Sequence, residues 1–326
     1  MRGSIQERDR MSSAYHKPVL KDETIDILEP EKRNSYLDCT TGAAGHAIAM
    51  MSRMPAGAKV YGIDRDDEAI AEAKANIMRE LPERYADFTP IKGNFFEAKK
   101  LLAQQGVSGV DSCLADLGVS SHQFDTPERG FSFRFDAKLD MRLDQTQELT
   151  AYDIVNGYSE AELRRVLYEY GEEKFTPSIV RNIIKRRETA PIETTTELVE
   201  IIKSSMPAKA LKEKGHPASR TFQALRIETN SEIAGLEDAI RDLVDILNPG
   251  GVIAVITFHS LEDRIVKNVF RELHDPCTCP KSAPVCICGK KPLIEILLKK
   301  PVTAGEEELE GNPRARSAKL RAARKI

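Results

Sequence analysis

The sequence predicts a doubly wound, parallel α/β domain interrupted by a helical insertion. Three observations carry that prediction. Short apolar runs alternate with helical stretches over residues 36–116; the alternation stops between about residues 126 and 219; and it resumes with a helix, a Pro249-Gly250-Gly251 turn and the longest apolar run of the chain, Val252–Phe258. Such alternation reads as parallel strands joined by helical crossovers.

The elements follow in order. Tyr36–Cys39 is a strand ending in a turn, and Ala47–Arg53 the helix after it. Lys59–Ile63 is a second strand ending at Asp64. Asp67–Glu80, rich in Ala and Glu, is a helix with Asp66 or Asp67 as its cap. Phe88–Lys92 leads into Gly93-Asn94-Phe95, and Glu97–Gln105 is a helix closed by Gly106. Val110–Ala115 is a fourth strand, ending at Asp116. Within the interruption, Ala161–Tyr170, Pro177–Glu188 and Thr196–Met206 read as helices and no buried strand is evident. A helix at Ser231–Leu247, the Val252–Phe258 strand, a helix at Leu261–Leu273 and strands at Leu293–Leu298 and Ala315–Ala322 complete the chain. This divides it into a first part (1–126), a helical insertion (127–218) and a second part (219–326) carrying a Cys-rich loop at 277–288.

A length of 326 residues suits one large domain with an insertion or two domains. With 41% hydrophobic and 30% charged residues, a soluble globular protein is expected. No apolar run approaches the ~20 residues of a membrane span. The charged N-terminal stretch has no apolar core, so a cytoplasmic location without a secretory signal is expected. A net charge of −3 excludes a globally basic nucleic-acid binder. Two local patches differ: six basic and no acidic residues between Asn312 and Ile326, and five basic and no acidic between Lys174 and Arg187. Either patch can neutralise phosphates or be a solvated face or tail. Cys39 and Cys113 sit in strand-like segments and read as reduced core residues.

Chemistry is expected at the strand ends, because an open parallel sheet binds ligands outside the carboxyl ends of its strands. The first end carries Gly42 and Gly45 before His46, a turn permitting close backbone approach and exposing helix N-terminal amides. It is neither the G-x-G-x-x-G fingerprint nor a Walker A loop. Asp64 lies 19 residues after Gly45, near the roughly 20-residue spacing of acids that hold a ribose diol. That spacing suits both NAD and S-adenosylmethionine, so a dinucleotide oxidoreductase stays open here, as does a non-catalytic RNA-binding protein. Phe95 is placed to line an adenine pocket or to pack in the core, and Asp116 to face the cofactor's amino-acid end or the substrate.

Several longer blocks are more specific: Asp116–Ser121, Pro127–Phe133, Leu139–Arg142, Tyr170–Phe175, His216–Ile227, Phe258–Arg264 and Asn312–Arg321. On these, from about His16 to Arg321, the chain closely resembles the bacterial RsmH (MraW) family. The resemblance implies a class I, Rossmann-like, S-adenosylmethionine-dependent methyltransferase with an inserted helical domain. It implies methyl transfer to the N4 amino group of a cytidine in the decoding region of 16S rRNA. The implied partner is 16S rRNA or the small ribosomal subunit, with no role for membrane or DNA. Carried across by residue, the cofactor contacts fall on Ala44, Gly45, His46, Asp64, Phe95, Asp116 and Gln123. Two departures stand out. Ala43 and Ala44 occupy positions where the family has glycine, which predicts a displaced loop because alanine disfavours positive φ; His122 replaces a proline.

Asp116 is the first candidate base for the amino proton. His259, ending a strand, is the second, with a structural role bonded to Ser260 or Glu262 as its alternative. Arg142, Arg220 and Arg264 are candidates for RNA contact or for ion pairing. Cys277, Cys279, Cys286 and Cys288 form C-x-C-x6-C-x-C. Four thiolates in a Pro-rich loop can hold a structural zinc, although the spacing is tighter than the common C-x2-C ribbons; four free thiols are the alternative.

Overall fold

The computed structural model describes residues 18–213, 215–280 and 287–326. The chain divides into two compact units: one formed by residues up to Asp64, Glu68–Leu117 and Ala239–Ile326, the other by Arg65–Asp67 and Gly118–Asp238.

Seven strands make one sheet: β1 (Ser35–Asp38), β2 (Lys59–Asp64), β3 (Phe88–Lys92), β4 (Val110–Asp116), β5 (Leu247–Thr257), β6 (Ile294–Ile296) and β7 (Lys319–Lys325). The helices are α1 (Lys21–Leu28), α2 (Gly45–Arg53), α3 (Asp67–Glu80), α4 (Ala98–Gln104), α5 (Ser121–Asp125), α6 (Ala151–Gly157), α7 (Glu160–Glu169), α8 (Thr176–Arg187), α9 (Thr195–Ser204), α10 (Ser219–Asn230), α11 (Leu236–Asp245), α12 (Ser260–His274) and α13 (Glu306–Gly311).

The strand order is β3-β2-β1-β4-β5-β7-β6. β1 to β5 run parallel, whereas β7 is antiparallel to β5 and β6 antiparallel to β7. Chain order reverses between β1 and β4, so the topological switch point lies there, the place where doubly wound sheets open a crevice beyond their carboxyl ends. This is the expected Rossmann-like sheet. Its central strands read as continuous apolar runs because both faces are covered: Tyr36, Leu114, Val252, Ala254 and Ile256 are buried together with Met50 of α2.

The second unit is helical, with only an isolated bridge, Lys138 to Thr194, among its described residues. Three of its helices open with capping boxes: Thr150 with Asp153, Ser159 with Glu162, and Thr194 with Glu197. Ile154, Leu163, Ile179, Leu198, Phe222 and Leu225 form its core. The unit runs wider than the 127–218 read from the sequence.

Several elements differ from expectation: α1, α10 and α13 were not anticipated, and the last strand, expected at Ala315–Ala322, runs Lys319–Lys325 after a 3-10 turn at Pro313–Ser317. The single helix expected at Ser231–Leu247 is broken at its start. α10 ends where Ser231 takes φ 51°, Gly235 takes φ 92°, and α11 begins only at Leu236. Left-handed backbone at both positions interrupts any helix. The Pro249-Gly250 turn lies inside the span of β5, beside a register shift between Val110 and Ser112, as a β-bulge produces.

Candidate active site

Three acids end three adjacent strands around the switch point: Asp38 on β1, Asp64 on β2 and Asp116 on β4. The loop after β1 is tied down by its neighbours. Thr41 donates to the Ile63 carbonyl through both its amide and its hydroxyl, each at 3.0 Å. The Gly42 amide donates to Asp64 Oδ2 at 2.8 Å. Thr40 Oγ1 accepts the Asp116 amide at 2.9 Å.

The loop then turns into α2 through two left-handed residues, Gly42 (φ 50°) and Ala44 (φ 66°). Ala44 therefore adopts the positive φ that glycine would supply. The cost of about 1–2 kcal/mol falls on a residue whose methyl is fully buried in the core. At Gly45 a Cβ would lie 2.4 Å from Pro18 Cγ, so that position admits no side chain as the two stand.

Burial makes these acids unusual. Asp38 is 1% exposed; loss of hydration pushes its carboxyl up to about 7, with nearby Asp64 adding to the rise against hydrogen bonds from the Thr40 amide and the Tyr36 hydroxyl. Asp116 is pushed well above the usual carboxylate range by desolvation first, then by the Asp38 and Glu262 carboxylates. Its side chain keeps 24% of its surface, yet Oδ1 is buried without a hydrogen-bond partner. An orphaned buried acceptor beside other acids is ready to receive a donor.

His46 completes the cluster. Its Nε2 lies 3.2 Å from the Val19 carbonyl, which only accepts, so Nε2 carries the proton and Nδ1 its lone pair. Nδ1 sits 3.7 Å from Asp116 Oδ2. Burial drives the imidazole down to about 4, so it stays neutral beside the acid.

A model of the MraW methylase family matches residues 13–326. The chain belongs to the MraW methylase family. It is 50% identical over 311 residues to ribosomal RNA small subunit methyltransferase H of Carboxydothermus hydrogenoformans, covering 95% of this chain and 98% of that protein. The Brevibacillus brevis protein of the same name is 47% identical over 315 residues, covering 96% and 99%. A Bacillus cereus O-methyltransferase crystallised with SAH overlays with a TM-score of 0.44 at 8% identity, covering 98% of this chain and 88% of that one. That likeness is too slight to bear on the fold traced above.

In this methylase, Ala44, Gly45, His46, Asp64 and Asp116 come together at the switch point. Phe95 follows β3 in a short 3-10 turn, half-buried and edge-to-face with Phe96 at 4.9 Å. Gln123 belongs to the helical unit, where its amide donates to Asp66 Oδ2 at 2.9 Å and accepts from the Ser120 amide at 3.0 Å.

His259 caps α12: its Nδ1 accepts the Glu262 amide at 3.4 Å, and Nε2 lies 3.0 Å from Glu262 Oε1. The cap bond at Nδ1 is that of the structural alternative, while Nε2 makes no hydrogen bond among the described residues despite its closeness to Glu262. Arg142 grips Asp140 through two nitrogens and donates to the Gln145 and Gln147 carbonyls, which makes it an ion-pair residue. Arg220 is exposed and donates to the Glu172 carbonyl at 2.6 Å; Arg264 is exposed on α12.

The basic C-terminal stretch is no frayed tail. It forms a 3-10 turn at Pro313–Ser317 and then β7, where Lys319 and Arg321 pair with Asp263 and Arg324 with Glu29. Among the described residues no helix is long and apolar enough to cross a membrane. Cys277, Cys279 and Cys288 lie between α12 and β6, and Cys286 falls outside the described residues.

Sequence reasoning missed Asp38, Tyr36 and the buried pair Arg129–Asp66, whose atoms stand 2.8 Å apart. Asp38 had one available signal, since it too ends a strand in an acid.

Proposed function

We propose that this methylase transfers a methyl group from S-adenosylmethionine to the N4 amino group of one cytidine in the decoding region of 16S rRNA, in the cytoplasm. The carrying observation is the set of acids on the carboxyl rim beside the β1–β4 switch point, with Asp116 Oδ1 buried and unpartnered. A cluster of carboxyls that raise one another's proton affinity suits a cationic ligand, since a positive charge relieves their repulsion. The donor set fits the cofactor on that ground.

When bound, S-adenosylmethionine supplies an electrophilic methyl group on a cationic sulfur. Ala44, Gly45 and His46 would form the bend that admits it, Asp64 would accept hydrogen bonds from its ribose diol, Phe95 would flank its base, and Asp116 would complete the contacts of this unit; Gln123 remains the contact that the family resemblance implies. The chain's own contribution is alignment. Holding the amine in line with the methyl group turns an encounter into a positioned transfer. Cytosine N4 is conjugated with its ring and is a poor nucleophile. Asp116 Oδ1 accepts a hydrogen bond from an N4 proton, which favours the nitrogen lone pair over conjugation. The same carboxyl, made more basic by burial, takes the proton released after transfer. His46, neutral and with Nδ1 3.7 Å from Asp116 Oδ2, places no competing cation beside that carboxyl. Arg220 and Arg264, both exposed, supply phosphate contacts for the RNA.

The test is methylation of 16S rRNA and of small subunits from cells lacking this protein, followed by nucleoside and fragment mass spectrometry. N4-methylcytidine at one decoding-region position, appearing only with the protein and S-adenosylmethionine, is expected. Methylation of another base or atom, or none on either substrate, refutes the assignment.

A further inference from the structure

We propose that Cys277, Cys279 and Cys288 form a structural zinc site that fastens the connection between α12 and β6. The site lies outside the catalytic cluster and stands or falls independently of the proposed reaction.

The sulfur geometry is the first ground. The three Sγ atoms lie within 4.8 Å of one another, and none of the three cysteines is in a disulfide. Cys277 and Cys288 Sγ are 3.8 Å apart. Ligands about 2.3 Å from a tetrahedral zinc stand about 3.8 Å from each other, whereas bonded sulfurs stand about 2.05 Å apart. The Cys277–Cys288 pair already sits at the edge length of a zinc tetrahedron, and Cys279 Sγ lies within 4.8 Å of both.

Packing does not account for them. Unbonded cysteines are ordinarily among the most buried residues, and Cys39 and Cys113 are buried in that way. Cys277 is exposed and Cys279 and Cys288 half-buried, with Ile287 between them 85% exposed. Three thiols that converge at the surface give a donor set suited to a thiophilic metal. The Ile287 amide also donates to Cys279 Sγ at 3.3 Å. Amide bonds to a ligating sulfur help orient it toward a metal.

The position explains what a metal would do. Between His274 and Ile294 the described residues form no helix or strand, and long stretches of that kind are uncommon in compact domains. The Leu293 amide donates to the Leu273 carbonyl at 2.9 Å, and His274 Nδ1 meets the Ile294 carbonyl at 3.1 Å, so the loop is pinched at its base. β6, a three-residue strand, ends the sheet order beside β7. Zinc on the loop holds that short edge strand in register. An all-sulfur donor set selects zinc over magnesium or calcium, which take oxygen. Each thiol that ligates releases its proton to solvent.

The full chain, purified under reducing conditions without a histidine tag or chelator, is analysed for metals by plasma mass spectrometry. About one zinc per chain is expected. Cys279→Ser and Cys288→Ser should each hold less than about a tenth of that, while Cys113→Ala keeps it. Circular dichroism establishes that the variants are folded. Independently of any variant, replacing the bound metal with cobalt(II) should give near-ultraviolet thiolate charge-transfer bands and the intense visible bands of tetrahedral cobalt. A reduced wild-type protein with neither zinc nor cobalt–thiolate bands overturns the proposal. So does iron in place of zinc, or full zinc content in both serine variants.

Discussion

Asp64 Oδ2 accepts the Gly42 amide at 2.8 Å, so the acid that ends β2 holds the loop that ends β1. On the proposed reading, backbone positioning and sugar recognition share one carboxylate. The shape of the loop depends on a residue that composition alone would assign to ligand contact.

Removing that side chain has two separable effects. Asp64→Ala leaves the Gly42 amide without its acceptor and should cost about 1–3 kcal/mol of stability. It should weaken S-adenosylmethionine binding by about 10- to 100-fold. Asp64→Asn retains an acceptor oxygen for Gly42, so it should lie within about 1 kcal/mol of wild type in urea unfolding while still losing affinity. Calorimetric titration showing wild-type dissociation constants for both variants would remove Asp64 from ribose recognition.

Asp116 is a half-buried, isosterically replaceable acid. Asp116→Asn removes a carboxyl whose ionisation is opposed by burial and by Asp38 and Glu262, so folding stability should hold or rise. Proton acceptance is lost, and single-turnover methylation should fall by about 10²- to 10⁴-fold. Near-normal turnover would assign the proton to water instead.

Two of the three strand-end acids, Asp64 and Asp116, were legible because a strand pattern ends at each of them. Apolar strand runs stop and a polar residue follows, as at Ile63–Asp64 and Ala115–Asp116. The helical unit was legible as helices but not in its joins. α10 was missed as an element because its polar residues include ones that turn inward: Asn230 is 1% exposed, its amide donating to the Met141 carbonyl and its oxygen accepting from Leu143. No periodicity marks such a residue, because its partners are backbone groups some ninety positions away in the sequence (|i−j| of 89 and 87). The basic C-terminal stretch misled for a related reason. Lys319 and Arg321 alternate along a strand, and the acid that neutralises both, Asp263, lies on α12.

His46 makes stability depend on pH in a defined direction. Its folded value of about 4 lies below the 6.5 of an unperturbed imidazole. The unfolded chain thus binds a proton between those values that the folded chain refuses. Stability is fully present above 6.5 and is lost as pH falls toward 4. Asp38, raised to about 7 from 3.8, acts with the opposite sign, so only a difference isolates His46. His46→Gln keeps a donor for the Val19 carbonyl and has no titration. Between pH 7.5 and 5, wild type should lose about 2 kcal/mol more than this variant in urea unfolding. Equal losses would mean that water reaches the ring.

Arg129 should prove the most sensitive charged residue of the helical unit. Its guanidinium meets Asp66 Oδ2 at 2.8 Å and donates to the Arg142 and Leu143 carbonyls at 3.0 and 3.1 Å. Both side chains are nearly sealed, at 6% and 4% exposure. A buried pair contributes little over a well-packed apolar replacement, but removing one partner strands the other charge. Arg129→Met should therefore cost about 3–5 kcal/mol, far more than an exposed pair such as Arg164–Glu160, worth roughly 0.5 kcal/mol. Adding Asp66→Asn to Arg129→Met should recover part of the loss, because the stranded carboxylate is gone while Gln123 keeps an acceptor on that side chain. A double-mutant cycle by urea unfolding reads the coupling directly. A cost below about 1 kcal/mol for the single variant, or no recovery in the double, would show that Asp66 finds water once the arginine is removed.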